Sequence, residues 1–451
     1  MAPGLAFFEC MFYNKIMKRI IFHIDVNSAY LSWSALEKLK NGSDVDLRTI
    51  PSIIGGDQNS RHGVVLAKSI PAKKYGISTG EPVASALRKC PALVMESPDH
   101  ALYDRRSQEL MELLHTFSPD IEKVSIDECY LDFTGIAHLY PSPVEAAALI
   151  KDTIHDTLGF TVNIGISNCK LLAKMASDFT KPDRIHTLFP EEIRQKMWPL
   201  PVSELFMVGR TSAQKLQHFG ISTIGDLAQA DVKFLTAHFK SHGQLMWEYA
   251  NGIDESPVIS QHQEAKGIGN STTLREDVTD QIQAQKVLLA LCESVSGRLR
   301  SAHQLAQTVA VEIKYSDFSK ASHQMQPLSA CNTTNAIYEI SCALFSKLWD
   351  GRPIRLLGVR TSRLLPEDAP TQISLFDYTP EAKKEEGHSG PSSEKLQKLD
   401  AAMDQIRQRY GKDSVIRGTF LHHPADSGHK SASDPSATAH HPERSPSDSE
   451  G

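Results

Sequence analysis

No apolar run in this 451-residue chain approaches the roughly 18 residues that a membrane-spanning helix needs. A membrane span is therefore not expected. The seven cysteines (Cys10, Cys90, Cys129, Cys169, Cys292, Cys331 and Cys342) are odd in number, scattered, and never spaced as CxxC. That pattern speaks against a disulfide framework and a cysteine zinc site, and reads as reduced thiols of a cytoplasmic protein. The opening MAPGLAFFECMFYNKI has too short an apolar stretch and too little flanking charge for a secretory signal. Residues 1–17 are read as an N-terminal extension, with Met17 as the working start. From His422 to the end there is no aromatic residue and no aliphatic one larger than alanine, so residues 422–451 cannot bury a core and are expected to be disordered.

A surplus of positive charge is also missing. Lys and Arg number 48 against 54 Asp and Glu, a formal net charge of −6, and the isoelectric point is near 6.3. Net charge alone argues against a nucleic-acid partner, but its distribution argues the other way. Residues 33–94 carry nine Lys/Arg against five Asp/Glu, and residues 262–366 carry twelve against nine. Each is a candidate phosphate-facing surface, although ordinary solvated surface accounts for the charges equally well.

At about 100 to 200 residues per domain the length implies two to four domains. KRIIFHIDVNSAY starts as a β-branched, apolar run of strand length and ends in a polar turn before SWSALEKLK, which has helical spacing. Asp25 thus falls at a strand end. IEKVSIDECYLDF places β-rich runs on either side of Asp127 and Glu128, and FTVNIGIS reads as a further strand. Residues 102–117 and 142–158 have amphipathic helical spacing, which completes an α+β sheet domain. After Pro190 come short helical pieces, and PVSELFMVGRTSAQKLQHFGISTIGDLAQAD is similar to a helix-hairpin-helix module. Such a module offers backbone N–H groups at a glycine turn to a DNA phosphate, which points to Gly209; Met207 stands where another Gly is common. Residues 262–366 alternate strand-like runs with helical stretches at 281–300 and 335–349, a second small α+β domain. TQISLFDY, a polar linker, and a helical run SEKLQKLDAAMDQIRQRYG follow.

Asp25, Asp127 and Glu128 are three carboxylates that one sheet can bring together. Like charges so placed raise one another's pKa unless a cation lies between them. Mg²⁺ suits the role because it takes one or two carboxylates and completes its shell with phosphate oxygens and water. An acidic dipeptide in a turn is nevertheless far more often solvated surface, and IDE alone carries little weight.

The ordered occurrence of HIDVNSAY, SIDECYLDF, NIGISNCKLLAKMASDFTKPD and LFMVGRTSAQKLQHFGISTIGDL changes that weight. Over residues 18–366 the chain resembles the Y-family translesion DNA polymerases of the bacterial polymerase IV type. The resemblance implies a multidomain right-hand fold. Its palm is expected at 18–27 and 98–189, fingers at 28–97, thumb at 190–254 and an additional α+β little finger at 264–366; beyond the resemblance, the helical run read from its own residues is expected as a C-terminal helix at 393–420. It implies template-directed addition of deoxynucleotides to a primer 3′ end at low fidelity, with two Mg²⁺ ions per active site, by an enzyme that works as a monomer.

Residue by residue, the resemblance makes Asp25, Asp127 and Glu128 the metal ligands, with the carbonyl of Val26 beside them and Glu128 holding the metal at the primer 3′-hydroxyl. Tyr30 takes the steric-gate position against a ribose 2′-hydroxyl. Ser28 and Ala29 present N–H groups to the triphosphate, and Lys181 of FTKPD contacts its phosphates. The fingers read IPAKKYG where many relatives read YPARKFG, so Lys73 replaces a phosphate-binding Arg and Ile70 a Tyr; lysine keeps the charge but loses the bidentate fork. Asn27 replaces a second acid. Gln372, Leu375 and Phe376, within 372–377, resemble the bacterial peptide that binds the sliding clamp (the beta subunit). A nucleotidyl cyclase-like palm explains the acids but not the hairpin module or the gate. A silent DNA-binding relative explains the modules but not the acids.

Overall fold

The computed structural model describes residues 19–56, 63–261, 265–369, 393–411 and 413–420. It divides into two compact units, residues 1–263 and 264–451. The expected N-terminal extension, the peptide at 372–377 and the tail at 422–451 lie outside the described residues.

The first unit is built on β1 (Ile21–Val26), followed by α1 (Ala29–Lys40), β2 (Ser52–Gly55), β3 (Val65–Lys68), α2 (Ile70–Lys73), α3 (Val83–Lys89) and β4 (Val94–Glu96). There follow α4 (His100–His115), β5 (Ile121–Lys123), β6 (Glu128–Asp132), α5 (Pro143–Leu158), β7 (Val162–Ser167), α6 (Lys170–Ser177) and β8 (Ile185–Thr187). The main sheet has the order β5-β6-β1-β7-β8, so β1 is central and every one of its residues is buried. Alternation divides the sheet into two faces. Phe22, Ile24 and Val26 of β1 join Cys129, Leu131, Ile164 and Ile166 in one core with Trp33, Leu110 and Ile150 from the helices. Each such side chain contributes on the order of 2 kcal/mol through burial. His23 and Asp25 necessarily point the other way, toward α6.

That second face is closely covered. A Cβ on Gly165 of β7 would lie 1.9 Å from the carbonyl oxygen of Ala173, so only glycine lets α6 approach this near. The small residues Ala173 and Ser177 are buried there, and the approach brings Lys174 within reach of the strand-end acids. Strands β2 to β4 form a separate three-stranded sheet, order β3-β2-β4, within the expected fingers.

Residues 190–254 are helical, as the sequence implies: α7 (Ile193–Lys196), α8 (Arg210–His218), α9 (Ile224–Ala228), α10 (Val232–Phe239) and α11 (Ser241–Ala250). They share a core with the outer face of α6 through Leu172, Met175, Met197, Leu216 and Leu227. Met207 has a φ of 71°, the left-handed conformation that explains why glycine is common there. The turn forms despite the side chain, which points into solvent. Gly209 caps the N-terminus of α8.

In the second unit β9 (Gly267–Val278), β10 (Gln304–Tyr315), β11 (Lys320–Met325) and β12 (Ile354–Pro366) form an antiparallel sheet, order β11-β10-β12-β9. Helices α12 (Gln281–Ser301) and α13 (Thr334–Leu348) share its apolar core, which includes Leu288, Val295, Val309, Val311, Phe345 and Val359. A further helix, α14 (Ser393–Tyr410), ends earlier than the expected helical segment. It docks through charge: Arg300 of α12 bonds Asp404 at 2.6 Å and Asp400 at 3.2 Å, and Asp400 accepts the Thr334 N–H at the start of α13.

Candidate active site

Antiparallel pairing of β1 with β6 sets Asp25 directly opposite Glu128. The adjoining carbonyl of Asp127 accepts the Val26 N–H at 3.0 Å. Cross-strand partners lie on one face, so the pairing alone brings the Asp25 and Glu128 carboxylates together. Asp127 sits in the turn before β6, where the Ser125 hydroxyl donates to its Oδ1 at 2.7 Å. The register supplies the sheet end where the sequence placed Asp25, Asp127 and Glu128.

Two ammonium groups hold these acids. Lys174 Nζ is 2.9 Å from Glu128 Oε1 and 3.6 Å from Asp25 Oδ2, and Lys181 Nζ is 3.0 Å from Asp25 Oδ2. Both lysines also reach Asp178, at 3.5 and 2.9 Å. Burial pushes the Asp25 carboxyl up to about 6 against the pull of Lys181 and Lys174. The His23 ring and the Lys174 ammonium hold Glu128 well below the usual carboxylate range, against its own burial. Of these two neighbours Lys174 is the true donor, because His23 Nε2 lies 3.5 Å away and makes no well-formed hydrogen bond. Burial opposes the Lys174 charge, yet its bond to Glu128 and the fields of Asp178, Glu128 and Asp25 raise its pKa.

Asp25, Val26, Ser28, Ala29, Tyr30 and Asp127 line a cavity of about 690 Å³, which Lys68, Ile70, Lys73 and Lys181 also face. The structure thus gathers Asp25, Val26, Asp127, Tyr30, Ser28, Ala29, Lys73 and Lys181 around one space, with Glu128 beside Asp25. Gly209 lies apart, in the helical region, and Gln372, Leu375 and Phe376 lie outside the described residues. Ser28 is left-handed, with φ 49°, and caps α1, whose first N–H groups lack helical acceptors. Asn27 has a job that a carboxylate could not do. Its Nδ2 donates to Asn163 Oδ1 at 3.1 Å, while its Oδ1 accepts from Thr161 and from the Asp183 N–H, which fastens the segment bearing Lys181.

Several contributors were not foreseen in the sequence. Tyr103 of α4 stacks on Tyr30 with ring centroids 4.3 Å apart and an 8° interplanar angle, and Ser34 bonds its hydroxyl at 2.9 Å. Lys174, Asp178, Lys68 and His23 are the others. Lys174 carries the clearest sequence signal of these, since a lysine in the middle of the apolar run LLAKMA needs a buried partner.

The donors suit a hard divalent cation: carboxylate and carbonyl oxygens, one of them on a buried aspartate already neutralised by ammonium groups. Among the described residues no three His, Cys, Asp or Glu side chains converge closely enough to cage a metal by themselves. Mg²⁺ sites commonly draw on substrate oxygens and water for the remainder.

A carboxylate-bearing mixed sheet, antiparallel except for its β7–β8 pair, with a separate fingers sheet, a helical thumb region and a further α+β unit, defines a right-hand polymerase with an extra domain. A Y-family DNA polymerase chimera of Dbh and Dpo4 shares this fold with a TM-score of 0.66 at 21% identity, covering 77% of this chain and 99% of that one. Residues 24–178 match the impB/mucB/samB family and residues 265–375 its C-terminal domain, and the chain belongs to that family. DNA polymerase IV of Clostridium acetobutylicum is 48% identical over 405 residues, 90% of this chain and 99% of that protein. DNA polymerase IV of Alkaliphilus oremlandii is 36% identical over 409 residues, 90% of this chain and 100% of that protein. Membership implies dependence on a divalent metal. Among the described residues no helix is long and apolar enough to cross a membrane.

Proposed function

We propose that Asp25, Asp127, Glu128 and the Val26 carbonyl hold two Mg²⁺ ions at which this chain extends a primer. The chain is a DNA-directed DNA polymerase of the low-fidelity, translesion type, with DNA and deoxynucleoside triphosphates as substrates. The observation that carries the site reading is the pairing of Asp25 with Glu128 beside a cavity that Asp127, Tyr30 and Lys181 also line. When bound, the metal ions supply activation of the primer 3′-hydroxyl and neutralisation of charge on the leaving pyrophosphate. Lys181 and Lys73 add positive charge for the phosphates, and the N–H groups at Ser28 and Ala29 accommodate phosphate oxygens at the start of α1. Tyr30 lies under the incoming sugar. Primer extension with Mg²⁺ on intact and lesion-bearing templates tests this reading. Template-directed incorporation on both is expected, and incorporation that ignores the template base would overturn it.

The palm comprises residues 18–27 and 98–189, the fingers 28–97, the thumb 190–254 and the little finger 264–366. The thumb turn at Gly209 and the basic stretches of fingers and little finger grip DNA through phosphates, independently of its sequence. The enzyme acts as a cytoplasmic monomer. Gln372, Leu375 and Phe376 tether it to the sliding clamp, because a Gln followed by apolar anchors between a folded domain and a polar linker is the composition of a short docking peptide. Tethering raises local concentration without changing the chemistry. Leu375→Ala with Phe376→Ala should abolish clamp-stimulated synthesis while clamp-free single-nucleotide incorporation stays at the wild-type rate. Full stimulation in the double variant would refute the tether.

A further inference from the structure

The two lysines at the acids are placed where a cation would have to go. Lys181 occupies Asp25 Oδ2, and Lys174 bridges Glu128 Oε1 and the same Asp25 oxygen. A metal entering at these oxygens must therefore displace ammonium groups, and an ammonium left unpaired beside a buried site is costly. Lys174 has little water to turn to, because its side chain is only 11% exposed.

Asp178 lies one turn further along, just past the end of α6. It contacts Lys174 Nζ at 3.5 Å and Lys181 Nζ at 2.9 Å, so Asp25, Lys181, Asp178 and Lys174 close a ring of alternating charge. It is not among the residues lining the cavity, and its side chain is 46% exposed. In that ring Asp178 stands across both lysines from Asp25. It can keep both ammonium groups paired after they leave those oxygens.

We propose that Asp178 is a positioning residue that takes over Lys174 and Lys181 when a divalent cation binds at Asp25 and Glu128. This rests on the metal reading of those acids. Exchange of lysine for metal then keeps every charge paired throughout, and the metal-free site is held in shape by ammonium groups instead of splaying apart. Once released from Asp25, Lys181 is also free to turn toward phosphate.

Mn²⁺ binding to the full-length protein with dideoxy-terminated primer–template DNA, followed by electron paramagnetic resonance, tests this without turnover. Asp178→Asn should weaken Mn²⁺ binding about two- to fivefold, the upper part of the range for an exposed charge pair, with a thermal midpoint close to wild type. Unchanged affinity would overturn the proposal. So would an equal loss in the wild-type and Lys174→Met backgrounds, because a plain field effect of Asp178 on the cation needs no lysine. The proposal requires a smaller loss once Lys174 is gone, and Lys174→Gln serves the same cycle if the Met variant folds poorly. Asp25→Ala distinguishes loss of the metal site from loss of the Asp178 role. If wild type binds Mn²⁺ no better than Asp25→Ala, the metal reading itself fails. If it binds better but Asp178→Asn changes nothing, only the role of Asp178 fails.

Discussion

Glu128→Ala is expected to reduce nucleotide incorporation by about three orders of magnitude or more, and Asp127→Ala to do the same, with primer–template affinity within about twofold of wild type. The asymmetry follows from where each activity resides. Phosphoryl transfer relies on positioning and on neutralising charge at the reacting oxygens, and Glu128 faces Asp25 where a metal would serve the primer hydroxyl. DNA affinity comes instead from Lys and Arg contacts to phosphates, and it should fall as salt rises. The fold should survive the substitution. Glu128 contributes only a strand-end side chain, and Lys174 retains Asp178 and Asp25 as partners. Single-nucleotide extension and fluorescence anisotropy on the same preparations check both halves. Extension at the wild-type rate in either variant would remove that acid from the metal site, and lost DNA binding would show that it holds the fold instead.

The main sheet is readable because its signals are local. A β-branched run ending in Asp25, and an acidic dipeptide between β-rich runs, identify strands whose ends carry acids, and β1 and β6 lie within a residue or two of those runs. Helices α12 and α13, at 281–301 and 334–348, likewise follow from apolar spacing. What was not readable depends on contacts across long stretches of sequence. Nothing near Tyr30 announces that Tyr103 stacks on it, since a tyrosine on an amphipathic helix usually means ordinary core. The Asn27–Asn163 pair spans 136 residues, and each side chain taken alone looks like a turn former. The lysine–carboxylate ring requires α6 to lie almost on the sheet, which in turn depends on Gly165, the single glycine of β7, set between Ile164 and Ile166. Met207 shows the converse: a missing glycine weakened the sequence signal, but the backbone adopts the left-handed turn all the same.

Tyr30→Ala should incorporate ribonucleotides far more readily while deoxynucleotide incorporation is retained. A gate works by overlap, so its side chain must be unable to yield. Tyr30 meets that condition here. Its ring is stacked flat on Tyr103, itself fully buried and anchored through its hydroxyl to Ser34, with His100 edge-on to both rings. A ring supported in this way cannot swing aside when a 2′-hydroxyl is pressed against it. Overpacking against a fixed neighbour costs about 1–3 kcal/mol, which translates into roughly 5- to 150-fold discrimination at the transition state. Removing the ring removes that penalty and touches neither Asp25 nor Glu128, so deoxynucleotide turnover should fall only modestly. Tyr30→Phe separates size from hydrogen bonding: it keeps the ring, and should therefore keep wild-type discrimination. Steady-state kcat/KM for matched ribo- and deoxynucleotides in the three proteins decides the matter. If Tyr30→Ala discriminates as strongly as wild type, the gate lies elsewhere in the cavity. If Tyr30→Phe loses discrimination along with Tyr30→Ala, selection works through the phenol oxygen and not through the overlap of a supported ring.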